Sequence, residues 1–126
     1  MMTEQEYISA AIGKLVTGGF ILSGTPTNAT EFKEMYKKAQ DDGTHAPDTS
    51  ITWTQVQAKV TEVKQEYKLL FLRQKRDLLL QQTDWTQNRD VTLSNDADWK
   101  TYRQALRDIT DSATSIDDVT WPTKPS

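Results

Sequence analysis

Apolar side chains recur every three or four residues through the middle of the chain. They are Trp53, Val56, Val60, Val63, Tyr67 and Leu70. This spacing is that of a heptad seam about two and a half repeats long. Thr52 followed by Gln55 fits a capping box, while Thr83 and Asp84 favour a helix end because their side chains compete for backbone hydrogen bonds. The pattern predicts one long helix over about residues 52–82.

A second helix is predicted over about residues 96–109, where Trp99, Tyr102, Leu106 and Ile109 share one face. The N-terminal region contains two further helix starts that resemble capping boxes, Thr3 with Glu6 and Asn28 with Glu31. Two short helices are therefore expected there. Glycines 18–19 end the first, and the second has Phe32, Met35, Tyr36 and Ala39 on one face.

The segments between these helices are polar or short. Residues 41–48 form a polar linker in which glycine and proline interrupt regular structure. The apolar run Phe20, Ile21 and Leu22 fits either a brief strand or a plug that enters a neighbouring protein. Pro122 favours an extended C-terminal tail in which Trp121 is the one large anchor.

Together these elements predict a mainly α-helical protein in two regions. Residues 1–50 form an N-terminal helical docking region, and residues 51–126 form a helical domain. The chain has 126 residues, of which 36% are hydrophobic, so the core is thin and a partner or further copies are expected to complete it. The apolar seam on the long helix must pack against another helix, which predicts a homo-oligomer.

Composition excludes several kinds of chemistry. The absence of cysteine removes disulfides, thiolate metal sites and cysteine nucleophiles. No apolar run approaches the roughly 20 residues that span a bilayer, and the first residues lack a basic signal region. We therefore expect synthesis in a cytoplasm and no membrane insertion.

No constellation of catalytic side chains is evident. His45, the one histidine, lies in the polar linker, and the paired aspartates 41–42 and 117–118 are sequence neighbours that fit turns. No glycine-rich phosphate loop or metal-ligand spacing occurs. The sequence predicts no enzymatic activity, no cofactor and no metal. A net charge of -3 also disfavours nucleic-acid binding, although four basic residues lie near Trp85, namely Arg73, Lys75, Arg76 and Arg89.

Charge and tryptophan are both distributed unevenly. The charged side chains within residues 59–76 are mostly basic, and those within residues 108–118 are all acidic, which fits two solvated faces or a head-to-tail contact between copies. Of the four tryptophans, Trp53 and Trp99 lie on helical faces and are expected in the core. Trp85 and Trp121 lie at a turn and in the tail, where they either pin loops or contact a partner.

Three blocks in the second half of the chain carry a resemblance to a known family. The first, R-D-L-L-L-Q-Q-T-D-W-T-Q, runs over residues 76–87. The second, W-K-T-Y-R-Q-A-L-R-D-I, runs over 99–109, and the third, W-P-T-K-P, over 121–125. Their order resembles the phage tail assembly chaperone family over about residues 73–126. Residues 88–93 and 110–115 lack the prolines common in that family. The first half of the chain shows no such resemblance.

The resemblance implies a phage tail context without enzymatic activity. It implies either a tail or tail-fibre structural or adaptor protein, or a transient assembly chaperone absent from the mature virion. Partners are then other tail or tail-fibre proteins, met in the host cytoplasm during assembly and in the virion tail if the protein is structural. We interpret the three blocks as a folding unit more readily than as a docking site.

Two sets of residues follow from these patterns. The residues expected to define the fold are Arg76, Leu79, Asp84, Trp99, Tyr102, Arg103, Leu106, Arg107 and Pro122. The residues expected at a protein interface are Phe20, Ile21, Leu22, Trp53, Val60, Val63, Tyr67, Trp85 and Trp121. Arg103 and Arg107 are expected to form charge-assisted hydrogen bonds with Asp84 or Asp108.

Overall fold

The computed structural model describes residues 2–126 and is mainly helical. The chain divides into two compact units, one up to Lys64 and one from Gln65 onward. In chain order the elements are α1 (Glu4–Leu15), β1 (Phe20–Leu22), α2 (Ala29–Met35), β2 (Tyr36–Ala39), β3 (His45–Ala46), α3 (Trp53–Gln82), α4 (Asp96–Arg107) and α5 (Ile109–Ser112). A 3-10 turn (Asp84–Gln87) follows α3.

The side chains that cap α1, α2 and α3 are those that the sequence indicates. The Thr3 hydroxyl accepts from the Glu6 N–H at 3.2 Å, and the Asn28 side chain accepts from the Glu31 N–H at 2.9 Å. At the start of α3 the capping box is reciprocal. Thr52 Oγ1 accepts from the Gln55 N–H at 3.2 Å, while Gln55 Oε1 accepts from the Thr52 N–H at 2.9 Å. These bonds satisfy backbone donors that the first helical turn leaves free.

The N-terminal unit contains a small antiparallel sheet in the order β1-β2-β3. Phe20 pairs with Lys38, and Lys38 pairs with Ala46 on its other side. Of the two interpretations of residues 20–22, the structure shows a strand. Gly43, with φ of 86°, lies between β2 and β3, where glycine has no Cβ to oppose a positive φ.

Two predictions for this region were wrong. The helix expected to continue to Ala39 ends at Met35, because Tyr36 takes an extended backbone and begins β2. The Tyr36 ring stacks on the Phe32 ring, with the two centroids 5.1 Å apart. The aromatic spacing that favoured a continuous helix is therefore shared between α2 and the strand that follows it. The linker expected over residues 41–48 contains β3, because pairing with β2 provides partners for its backbone.

The core of the N-terminal unit includes the first half of the α3 seam. Val56, Val60 and Val63 are buried, and Trp53 contacts Phe32 with ring centroids 5.6 Å apart. The seam thus has apolar neighbours in its own unit. The compact units divide inside α3, whereas the predicted regions divide after residue 50, because the first turns of α3 pack with the elements that precede them.

The C-terminal unit contains the rest of α3 with α4 and α5. Both predicted helices of this region are confirmed, and the second is interrupted at Asp108 so that α5 begins at Ile109. One core cluster is formed by Leu72, Ile109 and Ala113. The other is formed by Trp99, Tyr102 and Leu106, with half-buried leucines around it, Leu79, Leu80 and Leu93.

The segment after α5 has no helix or strand from Val119 to Ser126. Its extended geometry stays a prediction. Among the helices within residues 2–126, none combines the length and the apolar character required to cross a bilayer.

Candidate protein-docking site

A buried arginine connects the end of α3 to α4. Arg103 is 8% exposed, and its Nη1 donates at 2.8 Å both to the Leu80 carbonyl and to Thr83 Oγ1. Its Nη2 donates to Asp84 Oδ1 at 2.8 Å. The last carbonyls of a helix have no intrahelical partner, so Arg103 caps the C-terminus of α3 from a neighbouring helix.

Two threonines extend this polar cluster into the 3-10 turn. Thr83 and Thr86 are each 2% exposed. The Thr83 hydroxyl lies 3.1 Å from the Leu79 carbonyl and 3.2 Å from the Leu80 carbonyl, and it accepts from Arg103. The Thr86 hydroxyl donates to the Thr83 carbonyl at 2.7 Å. Because each buried hydroxyl has a partner, the turn is fixed by hydrogen bonds as well as by apolar packing.

The carboxylate of Asp84 contributes less than the ion pair with Arg103 suggests. Its side chain is 63% exposed, whereas the Arg103 side chain is 9% exposed. Water screens the exposed carboxylate, and pairs of this kind are worth about 0–1 kcal/mol. The neutral acceptors at Leu80 and Thr83 therefore hold the guanidinium more firmly than Asp84 does. In the described part of the chain no group accepts from Arg103 Nε.

Trp85 lies on this fixed turn with its indole half in solvent. It is 48% exposed, and its ring meets the buried Trp99 edge-on with centroids 5.9 Å apart. Trp99 in turn meets Tyr102 edge-on at 6.2 Å. One side of the indole is therefore held by the aromatic core of the unit, and the other side is available for contact. Large exposed aromatics on rigid supports are the usual anchors of protein interfaces.

The structure brings the three sequence blocks together in one unit. Arg103 of the second block meets Thr83 and Asp84 of the first. Trp121 of the third block packs against both core clusters, and Pro122 beside it is half-buried. Of the two roles considered for the turn and tail tryptophans, Trp121 pins its segment, while Trp85 combines an internal contact with an exposed face.

The remaining residues expected to define the fold are less central. Leu79 packs against the aromatic cluster. Arg76 pairs with the neighbouring Asp77 at 2.9 Å. Arg107 is exposed and donates to Gln104 at 3.3 Å, so the geometry does not show the expected bond to Asp84 or Asp108.

The residues expected at an interface divide by exposure. Val60 and Val63 are buried within the N-terminal unit, while Ile21 on β1 is 42% exposed. Tyr67 is half-buried and contacts Phe71 with ring centroids 6.1 Å apart. Half-buried positions complete the set, namely Phe20, Leu22, Trp53 and Trp121.

The acidic segment near residues 114–118 lies against α3 of its own unit. Lys68 pairs with Asp117 at 2.8 Å, and the Ile116 N–H donates to the Lys68 carbonyl at 3.3 Å. Gln65 donates to the Thr114 carbonyl at 2.8 Å. Part of the charge contrast that suggested contact between copies is therefore satisfied inside the chain.

The sequence interpretation missed some residues of the site. Thr83 and Thr86 are its buried hydroxyls, and the signal for them was their position on either side of Trp85 within the first block. Leu78, on α3, is 44% exposed and faces solvent. Within residues 2–126, no three His, Asp or Glu side chains are grouped so that they hold a metal ion.

Comparison with known families agrees with the resemblance of the second half of the chain. Residues 70–126 match the family model described as phage tail assembly chaperone protein. The resemblance predicted over about residues 73–126 is thereby confirmed. The match includes the last turns of α3, the 3-10 turn with Trp85, and all that follows. No curated protein and no solved structure matches the chain.

The match covers less than half of the chain and shows a similarity to proteins of phage tail assembly. A phage tail assembly chaperone acts on tail proteins and has a non-enzymatic role. The matched region coincides closely with the C-terminal unit, which contains the Arg103 cluster and Trp85.

Proposed function

We propose that this protein acts in the assembly of a phage tail by direct contact with other tail or tail-fibre proteins, as a structural or adaptor component. The observation that carries the proposal is Trp85, which is half exposed on a turn whose threonines, Thr83 and Thr86, are buried. It lies within the region that matches the family of tail assembly proteins.

The energetic argument rests on rigidity. An interface gains little from a mobile side chain, because ordering it costs about 0.5–1.5 kcal/mol. The Trp85 indole is already positioned by Trp99, and its backbone by the bond from Thr86 to Thr83. A partner that covers the exposed indole therefore meets a surface whose conformational entropy is already reduced.

The N-terminal unit supplies a second contact in this proposal. Ile21 is exposed on β1, one of the two edge strands of the small sheet, and the unit lies outside the family match. We infer that it selects the particular tail component, while the C-terminal unit provides the contact shared with the family.

A second candidate function is a transient assembly chaperone that leaves before the virion is complete. The description of the matched family favours it directly. Such a protein has a smaller and more polar interface than a permanent component, so that it can dissociate. Both functions place the protein in the host cytoplasm during assembly, and only the first places it in the virion tail.

Quantitative mass spectrometry of purified virions separates the two functions. A fixed ratio to the major tail proteins supports the structural or adaptor function, and that ratio gives the copy number. Abundance in infected cells together with absence from virions supports the transient chaperone.

The contribution of Trp85 is tested by complementing a phage that lacks this chain. We expect Trp85→Ala to reduce the yield of complete tails and the recovery of tail proteins with the tagged chain by at least about tenfold, the usual loss at an interface anchor. Arg89→Ala, an exposed change nearby, is the matched control and should retain both. Equal behaviour of the two variants, with unchanged circular dichroism, would contradict the role given to Trp85.

A further inference from the structure

The small sheet of the N-terminal unit has two edge strands, β1 and β3, and only one of them is blocked. Pro47 follows β3 directly, and its nitrogen carries no hydrogen that could bond to a further strand. Proline at this position is a common protection of a sheet edge. β1 contains neither a proline nor a charged residue. The edge that can accept a further strand is therefore that of β1.

The backbone of β1 has unused hydrogen-bonding groups on this edge. The Gly19 carbonyl and the Ser23 N–H bond to the β2 side of the sheet, at 2.9 and 3.1 Å. Successive residues of a strand direct these groups to opposite sides, so Phe20 and Leu22 direct theirs to the open edge. There the Leu22 carbonyl accepts from the exposed Gln5 side chain at 3.2 Å. Within residues 2–126, nothing bonds to the Phe20 N–H, the Phe20 carbonyl or the Leu22 N–H.

A pocket of about 360 Å³ lies at the first turn of α1, close to the end of β1. Its apolar lining consists of three buried residues and a half-buried indole, namely Ile8, Pro26, Val60 and Trp53. The pocket and the open edge meet at α1, since Gln5 donates to the Leu22 carbonyl and the adjacent Glu4 lines the pocket. All of these residues belong to the N-terminal unit.

The lining of the pocket favours an uncharged occupant. Its polar members are Glu4, Thr25, Thr27, Gln57 and Thr61. Among the residues that line the pocket, only Glu4 is charged, and Lys64 pairs with it at 2.9 Å. A charged side chain that entered would lose water without finding an unpaired opposite charge. Because ligand pockets begin at about 300 Å³, this one has room for a single large apolar side chain.

We infer that the N-terminal unit binds an extended, uncharged segment of a tail or tail-fibre protein. The segment adds a strand to β1 and places one apolar side chain in the pocket. Main-chain bonds at a sheet edge give affinity in this mode of recognition, and a side-chain pocket gives specificity. A helical segment would not serve, because its backbone groups are already bonded to one another. The inference deepens the second contact of the proposed function and rests on it.

Selected peptides test the pairing with β1. A random library of peptides about seven residues long, an ordinary strand length, is screened on the immobilised full chain. The best binder is then resynthesised with an N-methyl group at each position in turn. An added strand bonds to β1 through every second residue, so we expect N-methylation to weaken binding at alternate positions only. A library without a binder, or a scan without this alternation, overturns the inference.

Two substitutions on α3 test the pocket with the same peptide. Gln57 and Ala58 are both exposed, but only Gln57 lines the pocket. We expect Gln57→Trp to weaken binding by at least about tenfold, because its indole takes the place of the apolar side chain of the peptide. Ala58→Trp is the matched control and should leave binding unchanged. Equal affinity of the two variants contradicts the use of the pocket.

Amide hydrogen exchange of the full chain, measured by NMR, locates the new strand. We expect the peptide to slow exchange of the Phe20 and Leu22 amides by at least about tenfold, because their N–H groups gain partners. His45, on the blocked edge, should exchange at the same rate with and without the peptide. Unchanged exchange at Phe20 and Leu22, or protection at His45 instead, overturns the inference. None of these experiments involves Trp85, so their failure leaves the contact proposed for that residue standing.

Discussion

Arg103 and Thr83 are joined by a buried hydrogen bond of 2.8 Å, although 20 positions separate them in the sequence. The same guanidinium nitrogen donates to the Leu80 carbonyl, so one side chain both caps α3 and fixes the turn after it. The turn carries Trp85, and the stability of this bond therefore bears on the candidate docking site.

The first prediction concerns Arg103. We expect Arg103→Ala to lower the free energy of unfolding of the C-terminal unit by about 3 kcal/mol, because it removes the buried hydrogen bonds from a charged group to the Leu80 carbonyl and to Thr83. Asp84→Ala should cost less than about 1 kcal/mol, since that carboxylate is exposed. Urea unfolding followed by tryptophan fluorescence in a Trp53→Phe background reports on the C-terminal unit alone.

Arg107→Ala is the matched control for this experiment, because it removes an exposed arginine from the same helix. It should change the free energy of unfolding by no more than about 0.5 kcal/mol. If Arg103→Ala and Arg107→Ala have the same effect, the buried cluster does not stabilise the turn. Arg103→Lys should recover little stability, because an ammonium group cannot reproduce the planar set of donors.

The second prediction compares two leucines in the C-terminal unit. Leu106 is fully buried beside Trp99 and Tyr102, and we expect Leu106→Ala to cost about 2–5 kcal/mol through lost packing and the cavity that remains. Leu78→Ala should cost less than about 1 kcal/mol in dilute solution, because Leu78 faces water. Thermal or urea unfolding measures both, and a large loss for Leu78→Ala would mean that its face is covered within the monomer.

The third prediction concerns the start of α3. Thr52→Ala removes the acceptor for the Gln55 N–H and should cost about 1 kcal/mol. Thr54→Ala changes an exposed threonine, the second residue of α3, and serves as the control that should be nearly neutral. A double-mutant cycle with Gln55→Ala measures the reciprocal bond, and additive effects of the two changes would show that the capping box contributes nothing beyond its parts.

The fourth prediction concerns the pH dependence of the N-terminal unit. The Tyr36 hydroxyl donates to Asp48 Oδ2 at 2.7 Å. This bond holds the pKa of Asp48 below its usual range, while burial and the nearby carboxylate raise the pKa of Tyr36 far above its usual value. The stabilisation by Asp48 is present above about pH 4 and is lost as the pH falls through the lowered pKa of that carboxyl group. The stabilisation by Tyr36 is present below about pH 10 and is lost as the pH rises toward the raised pKa of that hydroxyl group.

Tyr36→Phe tests this pair directly. The pKa of Asp48 should rise toward its usual value, and the loss of stability above about pH 10 should diminish. Carboxyl NMR titration measures the first effect and urea unfolding across pH the second. The pKa of Asp42, which hydrogen bonds from Thr44 hold low, is an internal control that should not move. An unchanged Asp48 pKa would show that the bond is not maintained in solution.

Local sequence determined where the first three helices begin and which face of α4 is buried. Capping at Thr3, Asn28 and Thr52 depends on residues three apart, and the spacing of Trp99, Tyr102 and Leu106 defines the buried face of α4. Such signals are short-range, so they can be read before any tertiary contact is known. The three blocks can likewise be recognised before any tertiary contact is known, and their order indicated the family.

Tertiary structure decided what local signals leave open. Residues 36–39 have helical spacing yet form a strand, because pairing with β1 and β3 is a long-range gain that outweighs propensity. A heptad pattern states that a helix face needs a mate, but not whether the mate lies in the same chain. In α3 the Val56–Val63 face is buried within its own unit, whereas Leu78 faces solvent. The pairing of Arg103 with Thr83 likewise exists only because the fold brings α4 to the end of α3.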